Sequence, residues 1–140
     1  MADHVLVDTG PITALIDRRD VHHAWASKQL DHLHEPLRTC EAVLSEAFFL
    51  LASVRSGTGT LMALLREGLI VVDPAFSYAA QFGEILKLIE RYRNVPMSFA
   101  DACLIRMSEI ERHCHIFTTD RDFLTYRRNR REAIPLLAPF

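Results

Sequence analysis

The sequence predicts an α/β fold, a small parallel sheet flanked by helices, on three observations. Short apolar runs recur along the chain, and an early one and a late one each lead to a carboxylate: His4-Val5-Leu6-Val7-Asp8 near the start and His115-Ile116-Phe117-Thr118-Thr119-Asp120 far downstream. Between such runs, apolar residues repeat at the helical period. Gly and Pro stand at the junctions, as in Thr9-Gly10-Pro11, Glu35-Pro36, Gly68 and Asp73-Pro74. Strands that alternate with helices argue for a parallel sheet with helical crossovers.

Each element has its own local reason. After the first strand, Thr9-Gly10-Pro11 reads as a turn, with Pro11 suited to a helix start and Ile12, Leu15 and Ile16 apolar behind it. A second helix is expected over His22 to Leu33, with Trp25 and Leu30 inward. Residues 37–40 read as a short strand, with Thr39 as a candidate N-cap for a helix over Glu41 to Ser56. In that helix Val43, Leu44, Ala47, Leu50, Leu51 and Val54 keep the 3.6 period. Gly57-Thr58-Gly59 reads as a break, Thr60 to Glu67 as a helix, and Leu69 to Asp73 as a buried strand. Helices follow over Tyr78 to Arg93, with Phe82, Ile85, Leu86 and Ile89 on one face, and over Ser98 to Arg112, with Cys103, Leu104, Met107 and Ile110 inward. Asp122-Phe123-Leu124 starts a short turn or helix, and Ile134 to Leu137 is the candidate last edge strand. One domain over residues 1–140 is expected, because no repeat, linker or low-complexity tract divides the chain.

The bulk numbers narrow the classes. The chain has 140 residues, 49% hydrophobic and 24% charged, an ordinary globular balance. The formal net charge is -2, so no global field draws the protein to nucleic acid, and any such binding must come from local basic patches. All but two of the 16 basic residues, Lys28 and Lys87, are arginine. Cys40, Cys103 and Cys114 have no paired spacing and read as buried thiols of a reducing compartment. No apolar stretch reaches bilayer length and the first residues lack a signal-peptide pattern, so a cytoplasmic protein off the membrane is expected.

The acids carry the chemistry. Parallel strands hold their ligand sites at their carboxyl ends, so Asp8 and Asp120 are placed to meet at one rim. Glu46 borders the apolar arc of its helix, where a glutamate has a partner, holds a metal or reaches past the core to solvent. Asp101 fits the capping pattern in Ser98-Phe99-Ala100-Asp101, yet a carboxylate at a helix start is also held facing outward. Asp120 and Asp122, two apart, can point to one side of an extended segment, or can cap the turn that follows. Clustered carboxylates repel unless a cation lies between them. Hard oxygen donors suit Mg²⁺ or Mn²⁺, and such ions serve phosphodiester hydrolysis.

With these residues in order, the sequence resembles the PIN-domain ribonucleases, and especially the VapC-type toxins of toxin–antitoxin systems. The resemblance rests on Val7-Asp8-Thr9-Gly10, Leu44-Ser45-Glu46, Ser98-Phe99-Ala100-Asp101-Ala102 and Thr118-x-Asp120-x-Asp122-Phe123, and it spans nearly the whole chain. It implies a three-layer PIN-like α/β sandwich with an acidic pocket at the carboxyl edge of the sheet. It also implies an endoribonuclease dependent on Mg²⁺ or Mn²⁺, with Asp8, Glu46, Asp101 and Asp120 as the motif acids. Asp122 would be an auxiliary metal ligand and Thr118 a supporting hydroxyl. A homodimer and a cognate antitoxin are implied partners, alongside the RNA substrate.

Other features are weaker signals. Arg127, Arg128, Arg130 and Arg131 form a basic run that could touch RNA or form a solvated loop. The seven histidines show no structural zinc spacing, and Gly57-Thr58-Gly59 lacks the lysine of a phosphate loop. A housekeeping PIN nuclease of RNA processing and a non-catalytic RNA-binding or regulatory PIN module are the alternatives. A phospho-acceptor receiver would want a late lysine. A haloacid-dehalogenase-like phosphatase would want Asp-x-Asp after the first strand, where Gly10 stands.

Overall fold

The computed structural model describes residues 3–140. Five short strands form one wholly parallel sheet: β1 (His4–Val7), β2 (Leu37–Thr39), β3 (Ile70–Val72), β4 (Cys114–Phe117) and, after a small hairpin of β5 (Arg127–Arg128) and β6 (Glu132–Ala133), β7 (Leu136–Leu137). Their order across the sheet is β3-β2-β1-β4-β7. Six helices flank it: α1 (Thr9–Ile16), α2 (His23–Asp31), α3 (Glu41–Leu51), α4 (Gly57–Arg66), α5 (Tyr78–Arg91) and α6 (Phe99–Ile110). The chain adds β2 and β3 to one side of β1 and later returns to place β4 on the other. The β1–β4 junction is therefore the point where the winding reverses, and in open α/β sheets the crevice for ligand opens there, at the carboxyl ends.

The core is aliphatic around β1 and β4. Leu6, Val7, Ile116 and Phe117 are buried, and Val7 is registered opposite Phe117. Helices close over them with Ile12, Ala47, Leu51, Ile85, Cys103 and Leu104, and Trp25 lies edge-on to Phe117 at 5.5 Å. The three cysteines are free and buried, as expected.

Several local expectations shift. Thr9 and Gly10 do not form a separate turn. They are already helical, because Asp8 caps α1 by accepting from the Thr9 amide at 2.7 Å. Thr39 caps nothing: its hydroxyl donates to the Val7 carbonyl at 2.9 Å and ties β2 to β1, while Cys40 takes the cap position of α3. The α3 helix ends at Leu51, five residues before the expected Ser56, and α4 begins at Gly57 where a break was expected. Residues 52–56 turn between them, with Ser56 in the left-handed region at φ 59°. Gly68, at φ 76°, performs the reversal after α4 that glycine favours. On β3, Val72 is partly exposed because the strand is at the sheet edge, so the strand is not fully buried. On the helices the periodicity was right in kind and too generous in width: Leu30, Leu50, Phe82, Leu86 and Ile110 are exposed.

The basic run folds as the β5–β6 hairpin. Arg128 is 4% exposed and so is not placed to meet RNA. Its guanidinium donates to the carbonyls of Ser108 and Arg112 at 3.2 and 3.1 Å and to Glu132 at 3.1 Å. These bonds hold the hairpin on the last turn of α6 and the residues just beyond it. Arg127 is also occupied at home, donating to the carbonyls of Leu124 and Tyr126. Only Arg130 and Arg131 of the run are exposed.

Candidate active site

Four acids reach the carboxyl edge by four different routes. Asp8 directly follows β1. Asp120 lies three residues beyond β4 and caps the 3-10 turn Arg121–Leu124, accepting from the Asp122 amide at 2.9 Å. Asp101 is in the first turn of α6, behind Ser98, whose hydroxyl accepts from the Asp101 amide at 3.0 Å. Glu46 projects from α3 and accepts from the Thr9 hydroxyl at 3.0 Å. Asp8, Glu46, Asp101 and Asp120 line one cleft of about 340 Å³, together with Thr9, Gly10, Pro96, Ser98 and Thr119. Among the described residues its lining has four carboxylates and no Lys, Arg or His.

Thr118 joins the two strand ends. Fully buried, it donates to Asp8 Oδ2 at 2.8 Å and accepts from the Asp120 amide at 3.0 Å. Asp8 is thus held through both oxygens, one by Thr118 and one by the Thr9 amide. Tyr126, fully buried, donates its hydroxyl to Asp101 Oδ2 at 3.2 Å. Gly10 makes the close approach of α1 to the strand end possible: a Cβ there would run into the Thr119 hydroxyl.

The electrostatics record an uncompensated site. Burial pushes the Asp8 carboxyl up from its ordinary 3.8 to about 7, and Asp101 and Asp120 add to the rise; the bonds from Thr118 and Thr9 oppose it. Burial, then Asp120, push Asp101 up to about 6 against the bonds from Tyr126 and Ser98. Such a cleft has room for positive charge that the chain itself does not provide.

The donor set fits a hard divalent cation. Among the described residues no three His, Cys, Asp or Glu side chains converge closely enough to hold one ion. That is unlike the closed tetrahedral set of a structural zinc site. Mg²⁺ is usually held by one or two carboxylates while keeping waters and open positions for phosphate, which four carboxylates spread around a cleft can satisfy.

Asp122 does not line the cleft. Its amide is used by Asp120, and its carbonyl accepts from Thr125 and Tyr126 amides, which shapes the turn. Thr9, Gly10, Ser98, Thr119 and Tyr126 belong to the site or its wall and were not singled out as site residues. Thr9-Gly10 and Ser98 adjoin motif acids and were within reach of the reading. Tyr126 carries no local signal, because only the folded hairpin brings it under α6.

Comparison with known proteins agrees with this architecture. The model of the PIN domain family matches residues 5–129. No curated protein matches the sequence. Among solved structures, the crystal structure of Mycobacterium tuberculosis VapC20, described as a sarcin-ricin loop cleaving toxin, is similar with a TM-score of 0.71 and 20% sequence identity, over 84% of this chain and 91% of that one. The strand order, the reversal at β1–β4 and the family match over most of its length place this chain in the PIN domain family.

Proposed function

We propose that the protein is a metal-dependent endoribonuclease that hydrolyses RNA phosphodiester bonds, and that it acts as the toxin of a type II toxin–antitoxin pair in the cytoplasm. The observation that carries the catalytic reading is the meeting of Asp8, Glu46, Asp101 and Asp120 around one cleft that, among the described residues, has no cationic side chain in its lining. Asp8, Glu46, Asp101 and Asp120 would hold Mg²⁺ or Mn²⁺, each ion by one or two of these carboxylates and by waters. When bound, the ion supplies a Lewis acid for water activation and positive charge for the phosphate. Thr118 fixes the direction of Asp8, and Thr9 fixes Glu46. Deprotonated Asp8 and Asp101 are the competent forms, so loading draws protons from both. Asp122 supports Asp120 through its backbone amide.

The toxin reading is supported by the fold shared with VapC20. A homodimer is supported by exposed apolar side chains on three helices: Phe49 (80% exposed) and Leu50 on α3, Phe82 and Leu86 on α5, and Phe99 at the start of α6, whose ring lies 6.3 Å from that of Phe82. An antitoxin is proposed as the protein partner. Among the described residues no helix is long and apolar enough to cross a membrane.

The test incubates purified protein with defined RNAs, a sarcin-ricin loop oligonucleotide among them, with Mg²⁺, with Mn²⁺ and with chelator. Cleavage is expected only with a divalent ion, and Asp8→Asn and Asp101→Asn should each lower it at least a hundredfold (about 3 kcal/mol) while circular dichroism stays unchanged. Equal cleavage by the variants and the parent would remove the assignment. Mn²⁺ binding with no cleavage of any RNA would favour the non-catalytic module.

A further inference from the structure

A second cleft, of about 300 Å³, opens between α5, α6 and the tip of the β5–β6 hairpin. Lys87, Arg91, Arg106 and Arg130 line it, against Glu84 and Glu109. Two of these cations are neutralised locally. Lys87 pairs with Glu84 at 3.3 Å, and Arg106 pairs with Glu109 at 3.2 Å while its Nε donates to Gln81 at 2.7 Å. Arg91 and Arg130 have no carboxylate partner among the described residues, so the cleft keeps an excess of positive charge.

The hairpin tip is built to put Arg130 there. Asn129 and Arg130 are both left-handed, at φ 48° and 72°, a conformation that glycine adopts freely and arginine does not. Glu109 secures the tip by accepting from the Asn129 amide at 2.6 Å, and Arg128 anchors the hairpin base on α6. A residue in an unfavourable backbone state, fixed by its neighbours at the mouth of a charged cleft, is a pointer to function. The same α6 connects this cleft to the acidic one. Asp101 is in its first turn, and Arg106 and Glu109 follow about 7.5 and 12 Å along the axis at 1.5 Å per residue.

We propose that this basic cleft is an RNA-backbone subsite, in which Arg91 and Arg130 take phosphates of the same strand whose scissile bond lies against Asp8, Asp101 and Asp120. The proposal rests on the nuclease reading and deepens it. Arginine suits phosphate because its planar fork can donate two hydrogen bonds at once. The split of charge is physically useful: a purely acidic cleft repels the substrate backbone, and cations carried by α5 and the hairpin beside α6 hold the strand without neutralising the carboxylates.

The test uses the Asp8→Asn protein, so that RNA survives, and follows a fluorescein-labelled single-stranded RNA by anisotropy over a series of KCl concentrations. Arg91→Gln and Arg130→Gly are added singly and together, with Lys28→Gln on α2 as a charge-matched control. Each cleft variant is expected to weaken binding several-fold and to reduce the slope of log K against log salt by about 0.7, and the pair by about 1.4, as for lost phosphate contacts on a single strand. Arg130→Gly should do so with its melting temperature held or raised, since glycine relieves the left-handed residue. Lys28→Gln should change neither quantity. Unchanged slopes in Arg91→Gln and Arg130→Gly, in a protein whose Asp8 form cleaves RNA, overturn the subsite and leave the nuclease reading standing. If the Asp8→Asn protein binds no RNA and its Asp8 parent cleaves none, both fall. Displacement of RNA from this cleft by a polyglutamate peptide at lower concentration than by unlabelled RNA would assign it to an acidic protein partner instead.

Discussion

At Asp8, two opposing effects act on one carboxyl. Thr118 and the Thr9 amide stabilise its charge, while burial and the neighbouring acids disfavour it, and the second group wins by raising it to about 7. The sign of the resulting pH dependence follows. A carboxyl whose folded value lies above its unfolded value costs nothing below about 3.8, where both states are protonated, and its full penalty is present above about 7. Metal-free protein should therefore lose stability from this group as pH rises through that window. In Asp8→Asn the loss should shrink, so melting temperature against pH is expected to be flatter than in the parent between pH 4 and 7. Parallel curves would show that Asp8 is not buried as described. The reading of Asp8 as a strand-end acid needed only the apolar run before it. The bond from Thr118, 110 residues away, was not readable from any local pattern and entered only through the resemblance.

Among the elements, the β5–β6 hairpin differs most from expectation. Five consecutive residues, Arg127-Arg128-Asn129-Arg130-Arg131, look alike in composition and have separate tasks once folded. Arg128 is a buried clamp, Arg127 closes its own turn, and Arg130 faces the basic cleft. Arg128→Ala should destabilise the protein by about 1.5–3 kcal/mol in urea unfolding, the scale for hydrogen bonds to a charged group. RNA affinity per folded molecule should fall no further than in Arg130→Gly, because Arg128 bears on RNA only through the hairpin it anchors. An exposed arginine would give the reverse pattern. Periodicity could not reveal this division, because a two-residue strand pairing has too few residues to show an alternation. The longer elements were legible for the opposite reason: β1, β4, α5 and α6 each carry enough apolar residues to fix their type. Their ends were less so, since α3 stops where the chain turns at residues 52–56, and that stop depends on packing against α4.

Across the whole molecule, the order of strands was not written in any single motif, but the alternation of elements led to the parallel sheet, and the four acids followed from their places at element ends. The convergence of those acids on the β1–β4 crevice depends on the reversal of winding, which no local pattern encodes. Two consequences are measurable. Mn²⁺ should stabilise the parent by about 2.7 kcal/mol at one hundred times its Kd, and Asp101→Asn should lose most of that gain. The affinity for Mn²⁺ should climb between pH 5 and 8 as Asp8 and Asp101 shed their protons, which calorimetry in two buffers of different ionisation heat can count. The second consequence concerns assembly. If the chain dimerises through this face, Phe82→Lys with Phe49→Glu should give a monomer in sedimentation experiments without lowering the stability of the isolated chain by more than about 1 kcal/mol, because each exposed position tolerates change to within about 0.5 kcal/mol.

The bond between Asp8 and Thr118 has one more consequence, in time. Its partners are separated by 110 residues. A ribosome extends the chain from the amino end, so Asp8 emerges early and waits for β4 and the segment beyond it. Until that later portion clears the exit tunnel, a nascent polypeptide carries scattered acids and no assembled crevice, so any chemistry of the cleft waits for the downstream strand.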